Sequence, residues 1–417
     1  QIGCSQHEWT HNEDPRFPGS MDFDWKYNWE LASGCVRNVL AETKIDPAEI
    51  AAISTTCMRE GILLYDKDGN EIWACANVDA RSNDEVAELI RMNPDLELEL
   101  YKKSGQSYAL NAIPRILWVK NNMPDIYEKT AKIGMFNDWL IYKLTGVLAV
   151  EPSNGSTTGL LDLQTRTWDT EIAAKCNLRT DIFPDILECG SISGKVTAKG
   201  ASETGLAEGT PVVVGGGDCQ LGTIGVGACK PGEAAVFGGS FWQYEFNTES
   251  GKTDPYGRVR VNCHAVPGVW QYEALAFKPG LVMRWFRDGF CQEEKRKAKE
   301  IGDDPYNLMN QAAEKIPAGC YGMMCCFSDI MNFINWKHAA PTFTNFELLP
   351  EKFNKYTFYR SILENTAMLV KGHIELVKEA TGNEPDKLIF AGGASVSDLW
   401  SQILADVTGK PVVTPVV

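Results

Sequence analysis

No apolar run in this 417-residue chain approaches the roughly 18–20 residues that cross a bilayer, and no signal-peptide pattern opens it. The expectation is a soluble, cytoplasmic protein with no membrane partner. Positive charge is also short: 40 Lys and Arg stand against 55 Asp and Glu, a formal net charge of −15. Such a surface repels phosphodiester backbones and argues against nucleic-acid binding. There is no C-x-x-C among the thirteen cysteines, and their number is odd. Reduced thiols used as small core residues fit better than disulfides or zinc, with Cys57, Cys75 and Cys263 in apolar company. The five histidines (7, 11, 264, 338 and 373) have no ligand spacing, so no structural metal is expected. The chain also lacks G-x-x-x-x-G-K-[ST], which argues against a P-loop NTPase, and it lacks the H-R-D pattern of protein kinases. Gly225-Val226-Gly227 has no third glycine at the dinucleotide offset, and Lys230-Pro231 breaks the helix that fingerprint needs.

Short β-branched runs alternate with helix-period segments, the pattern of an α/β protein. Ala51–Thr56, Gly61–Tyr65 and Glu71–Ala76 read as strands, the last two joined by a turn at Asp66–Asn70. Asp84–Arg91 and Ala112–Asn122 read as helices, and Thr210–Val214 as a strand entering Gly215-Gly216-Gly217-Asp218. Composition changes near 220–230, which suggests domains over 1–224 and 225–417. In the second, Glu233–Gly238 reads as a strand and Phe358–Ala380 as a helix with Ile362, Leu363, Ala367, Val370, Ile374 and Val377 on one face. A strand (Lys387–Ala391), the turn Gly392-Gly393, a helix through Leu399 to Val407 and a strand at Val412–Val413 follow, with Gly409 ending the helix. Trp118, Trp139 and Trp285 are read as core. Two similar α/β halves facing across a cleft would explain why each contains a strand running into a glycine-rich turn.

Asp218 is the sharpest candidate for chemistry. Three glycines bring backbone close to something, and the first side chain beyond them is a carboxylate. Phosphoryl transfer to an alcohol needs one such group against the attacking hydroxyl, and a weak base suffices where the proton leaves late. The competing reading is a cap for the following helix. Gly239 and Ser240, after the strand ending at Gly238, could hold β- and γ-phosphates through N–H groups and a hydroxyl. Gly392, Gly393 and Ala394 suit a base or ribose lying against bare backbone. Met58, Arg59 and Glu60 lie between two strands and offer donors and acceptors together, as a polyhydroxylated or ketone-bearing ligand requires. The competing reading there is a surface ion pair. Asp79-Ala80-Arg81 reads as structural.

These segments resemble the FGGY carbohydrate kinases, over essentially the whole chain. The match runs through Pro18–Asp24 (PGSMDFD), Met58–Gly61, Trp73–Arg81, Asn154–Asp162 (NGSTTGLLD), Val214–Gln220, Gly239–Trp242, Phe327–Asp329 with Trp336–Pro341, Gly392–Ala394 and Leu399–Asp406 (LWSQILAD). The resemblance implies two ribonuclease-H-like, actin-like ATPase domains, ATP with Mg²⁺, and a catalytic base at Asp218. It places Met58, Arg59 and Glu60 with Asp218 on the substrate, and Gly239, Ser240, Gly392, Gly393, Ala394 and Ser397 on the nucleotide. The Phe327–Asp329 and Trp336–Pro341 stretches point within the family to phosphorylation of linear dihydroxypentanedione on its terminal hydroxyl, a quorum-sensing signal. A pentulose or related ketose is the alternative substrate, and a ligand-binding relative without catalysis the alternative class. A phosphocarrier protein of the sugar phosphotransferase system is the implied regulatory partner. The family's opening strand with Asp-x-Gly-Thr, whose Asp helps hold the metal, and its closing helix are absent from this sequence. The segment alone is therefore expected to be a weak or inactive catalyst.

Overall fold

The computed structural model describes residues 1–109, 111–335 and 339–416. Trp336, Lys337 and His338 of the motif ending at Pro341 lie outside the described residues. The chain forms two compact units. The first comprises residues 1–222, 250–252 and 261–270, and the second 223–249, 253–260 and 271–417. Among the described residues no helix is long and apolar enough to cross a membrane.

In the first unit, one antiparallel sheet runs in the order His11–Asn12, Asp22–Phe23, Glu71–Cys75, Ile62–Tyr65, Lys132–Met135. The turn at Asp66–Asn70 joins two of these strands. Asp66 accepts from the N–H groups of Asp68 and Asn70, an arrangement only a short side-chain acceptor reaches. Leu63, Leu64 and Tyr65 are wholly buried, as befits a strand covered on both faces. A second sheet sets Pro211–Gly217 between Ile192–Lys195, antiparallel to it, and Ile53–Cys57, parallel. Here the structure corrects the sequence reading. The three glycines are the last residues of the strand, not a turn beyond it, and the helix Asp218–Gly225 begins directly after them. Glycine usually punctuates a strand; here it lets a neighbouring strand approach.

The second unit is built on a mixed sheet in which Trp270–Ala276, Trp242–Thr248, Ala234–Gly238, Leu388–Ala391 and Val412–Val413 follow one another. Ala234–Gly238 runs antiparallel to Trp242–Thr248 and parallel to Leu388–Ala391. The helix Lys355–Thr381 buries the apolar face that its period predicts, and it packs against the helix Asp398–Thr408. Trp400 on the latter donates its indole N–H to the carbonyl of Leu363 at 3.2 Å. Gly409 closes that helix in the left-handed region, at φ 68°. Trp118 and Trp139 are core, but Trp285 is 52% exposed. The helix Pro279–Phe290 buries Val282, Met283 and Phe286, and a residue one position from 286 lies about 100° around the axis. All thirteen cysteines are free thiols; Cys75 and Cys263 are buried and Cys57 partly so.

His373, on the long helix, is buried, and its Nε2 accepts from the Met331 N–H at 3.1 Å. Burial pushes its pKa down to about 4. Above the unfolded value of about 6.5 both states are neutral and the full stability is present. As pH falls from there toward 4, the unfolded chain takes up a proton that the folded chain refuses. Stability then declines by at most about 1.4 kcal/mol per pH unit, and the loss stops below about 4. Urea unfolding of the chain and of His373→Gln at pH 6.5 and 5 should show the stability gap between them shrink by about 2 kcal/mol. A gap independent of pH would contradict the assignment.

Candidate functional site

In the first unit, the approach of Pro211–Gly217 to Ile53–Cys57 leaves no room for side chains. A Cβ on Gly215 would lie 1.7 Å from the carbonyl oxygen of Thr55, and one on Gly217 would meet Gln220 Oε1 at 2.6 Å. Thr56 Oγ1 donates to the carbonyl of Gly216 at 2.9 Å. The pairing shifts register between Val213 and Gly216, around the close approach at Gly215, and resumes with Gly216 opposite Thr56 and Gly217 opposite Cys57. Asp218 follows at the first turn of a helix. One carboxylate oxygen accepts from the N–H of the next residue, Cys219, at 2.9 Å. Asp218 is the first helical residue, and among the described residues it forms no bond to the N2 or N3 position of a cap. The side chain stays 53% exposed, and Arg59 Nε lies 3.5 Å away.

Arg59 is buried, its side chain only 5% exposed, so it is no surface ion pair with Glu60. Its guanidinium also reaches Cys219 Sγ at 3.2 Å. Glu60 adopts φ 68°, a region non-glycine residues seldom occupy. Arg115 stabilises that bend: it donates to the carbonyls of Glu60, Asn77 and Asp79, the last two at 2.7 and 3.1 Å. Met58 is half-buried against the core of this unit. The structure thus brings Arg59 and Asp218 together, with Glu60 next to Arg59 on a bent loop, while Met58 packs against the core. Asp79 and Arg81 form a buried ion pair at 2.7 Å that also engages Asp22, and Arg81 lies 4.8 Å from the Trp118 ring centre.

Sequence reasoning missed what lies beneath. Ser153 Oγ accepts from the Gly217 N–H at 2.9 Å and donates to Glu151 at 2.7 Å. Glu151, fully buried, accepts in addition from the N–H groups of Ser153 and Asn154 and from the thiol of Cys189. Burial raises the Glu151 pKa, and these bonds oppose the rise. Asp138 beside it is pushed up by burial first and by the Glu151 charge second. Glu151 and Ser153 stand just before the Asn154–Asp162 motif, where Glu-Pro-Ser could have been read as a helix start.

In the second unit a cavity of about 590 Å³ is lined by Gly239 and Ser240 from one strand end and by Gly393, Ala394 and Ser397 beyond another. Gly392, at φ 91°, turns the chain into that second segment, since a Cβ there would lie 2.9 Å from the Gly238 carbonyl. Gly280 lets the helix Pro279–Phe290 abut the Gly239–Ser240 turn, where a Cβ would fall 2.0 Å from the Gly239 carbonyl oxygen. The walls hold Met283, Tyr359, Val396 and Trp400, with Arg284, Arg287, Asp304, Asn307 and Asn310 polar. None of these polar residues carried a signal in the sequence. A cavity that combines apolar walls, polar and cationic side chains and a bare-backbone turn suits a base with phosphates.

The model of the FGGY family of carbohydrate kinases, N-terminal domain, matches residues 4–225, and that of the C-terminal domain matches residues 247–416. The chain belongs to the FGGY family of carbohydrate kinases. It is 49% identical over 418 residues to the autoinducer-2 kinase of Yersinia enterocolitica, and 48% identical to that of Salmonella paratyphi B. In each case the match covers 100% of this chain and 79% of the relative. The xylulose kinase of Rhodospirillum rubrum superposes with TM-score 0.84 at 22% identity, over 97% of this chain and 80% of that one. Plasmodium falciparum glycerol kinase with ADP does so at 0.81 and 21%, over the same shares. These FGGY kinases share the two-domain fold, and the family places the chain among phosphotransferases with an alcohol acceptor.

Replacing Gly215 by Ala should lower stability by more than about 4 kcal/mol, because a strand must move to admit the methyl group. Gly225→Ala, where nothing lies within 4 Å of the new Cβ, should stay within about 1 kcal/mol of the parent. Denaturant unfolding of both variants checks the pair. Equal stabilities would show that the strand approach is not as tight as described.

Proposed function

We propose that this FGGY kinase transfers the γ-phosphoryl group of ATP to the terminal hydroxyl of linear autoinducer-2, dihydroxypentanedione. In this reading residues 1–224 supply the substrate side and 225–417 the nucleotide side. The observation that carries the chemistry is Asp218, half-exposed at the helix start directly after the strand Pro211–Gly217, with Arg59 3.5 Å away. The substrate assignment is supported by identity near one half, along the whole chain, to relatives named autoinducer-2 kinase.

The substrate oxygen attacks the γ-phosphorus, the bond to the β–γ bridging oxygen breaks, and ADP departs with that oxygen. Asp218 accepts the hydroxyl proton as the new O–P bond forms and releases it to water afterwards. Arg59 and Glu60, with Met58 alongside, position the polar groups of the five-carbon chain. Ser240 donates to the β- and γ-phosphates, Gly239, whose N–H is held by the Phe241 carbonyl, leaves bare backbone beside them, and Gly392, Gly393, Ala394 and Ser397 lie on the adenine side. Mg²⁺ accompanies ATP and offsets phosphate charge when bound. The half-exposed Asp218 carboxylate is an oxygen donor of the kind that would help hold this ion. Use of ATP argues for a cytoplasmic setting. Regulation by a phosphocarrier protein rests on the family resemblance alone.

Asp218→Asn keeps the side-chain shape and removes the base. It should lower turnover by roughly 10²–10⁴-fold while ADP binding, measured by calorimetry, persists. Undiminished turnover would remove Asp218 from the mechanism. Assayed in parallel, dihydroxypentanedione should give a higher kcat/KM than xylulose or other ketoses; a ketose preferred by tenfold would overturn the substrate.

A further inference from the structure

The buried polar corner of the second unit's cavity is ordered in a way that mere tightness does not require. Ser397 Oγ accepts two hydrogen bonds, from the Trp400 N–H at 3.2 Å and from Asn310 Nδ2 at 3.0 Å. A hydroxyl oxygen has two lone pairs, so only the proton of Ser397 is left to give. Asn310 is oriented in turn by Tyr359, whose hydroxyl donates to Asn310 Oδ1 at 2.8 Å. One lone pair of Oδ1 is used and the other remains. Tyr359 and Ser397 are buried, and all three residues line the cavity. A ligand entering there meets a donor at Ser397 and an acceptor at Asn310, one hydrogen bond apart.

We infer that the Tyr359–Asn310–Ser397 chain selects an adenine base over a 6-oxopurine. Asn310 Oδ1 accepts from the 6-amino group, and the Ser397 hydroxyl donates to a neighbouring ring nitrogen. This deepens the proposed function and rests on the cavity being the nucleotide's. Adenine carries a donor at C6 flanked by ring-nitrogen acceptors. Hypoxanthine and guanine carry a carbonyl there, which would face Oδ1 lone pair to lone pair. A buried site oriented for one pattern rejects the reverse because its own groups are left unpaired. Tyr359 is a positioning residue: without its hydroxyl only the Nδ2 bond to Ser397 orients the Asn310 amide, and a turned amide, its Oδ1 accepting the Ser397 proton, presents Nδ2 to the ligand instead.

Calorimetry with ADP and with inosine diphosphate tests this on the whole chain. The unsubstituted chain should prefer ADP by on the order of tenfold to a hundredfold. Tyr359→Phe should bring the ratio toward one, chiefly by tightening inosine diphosphate. Ser397→Ala should weaken ADP about tenfold, and Ser397→Thr, which keeps the hydroxyl, should restore the preference. If ADP binds and neither Tyr359→Phe nor Ser397→Ala moves the ratio, the selection device is wrong and the nucleotide reading stands. If ADP does not bind the unsubstituted chain, the nucleotide reading fails and this inference with it.

Discussion

The pairing of Pro211–Gly217 with Ile53–Cys57 at a distance only glycine tolerates is the constraint on which the candidate chemistry depends. A strand that could slip would move the next side chain by a residue and turn it to the other face. This one is held by the Thr55 carbonyl against Gly215, by the Thr56 hydroxyl on the Gly216 carbonyl, and by Ser153 on the Gly217 N–H. What emerges is a single carboxylate, half in solvent, beside a buried guanidinium. Two buried acids, Asp138 and Glu151, sit behind it. Leaving them charged costs free energy, and backbone N–H groups with the hydroxyl of Ser153 offset part of that cost.

The second unit solves a different problem with the same means. A planar ligand needs bare backbone on one side and fixed polar atoms on another. Glycines at 239, 280 and 393 supply the first. The helix-start position of Ser397 and the tyrosine-oriented Asn310 supply the second. Each device is local to its own unit and follows from where strands end and helices begin, which is where α/β proteins gather ligands.

Much of this was legible in the sequence, and the parts that were not share a cause. Strands such as Ile62–Tyr65 and Leu388–Ala391, and the long helix Lys355–Thr381, announce themselves by period and composition. The glycine run before Asp218 looked like a turn, because nothing along the chain says that a second strand, some 160 residues away, lies close enough to need it. Trp285 is read as core along with Trp118 and Trp139, although its neighbours 282, 283 and 286 define a buried face it does not share. Ser153, Glu151, Arg115, Asn310 and Tyr359 are ordinary residues in ordinary helical contexts. Their importance comes from partners distant in sequence, and a chain read in order does not show distance in space.

The central claim is that Asp218 stands against the reacting hydroxyl. A crystal structure of the chain with dihydroxypentanedione bound tests it directly. The account predicts the terminal hydroxyl oxygen at roughly 2.6–3.2 Å from the Asp218 carboxylate, with Arg59 on the same ligand. A ligand whose hydroxyls all lie beyond hydrogen-bond reach of Asp218, leaving that carboxylate to Arg59 alone, would contradict it.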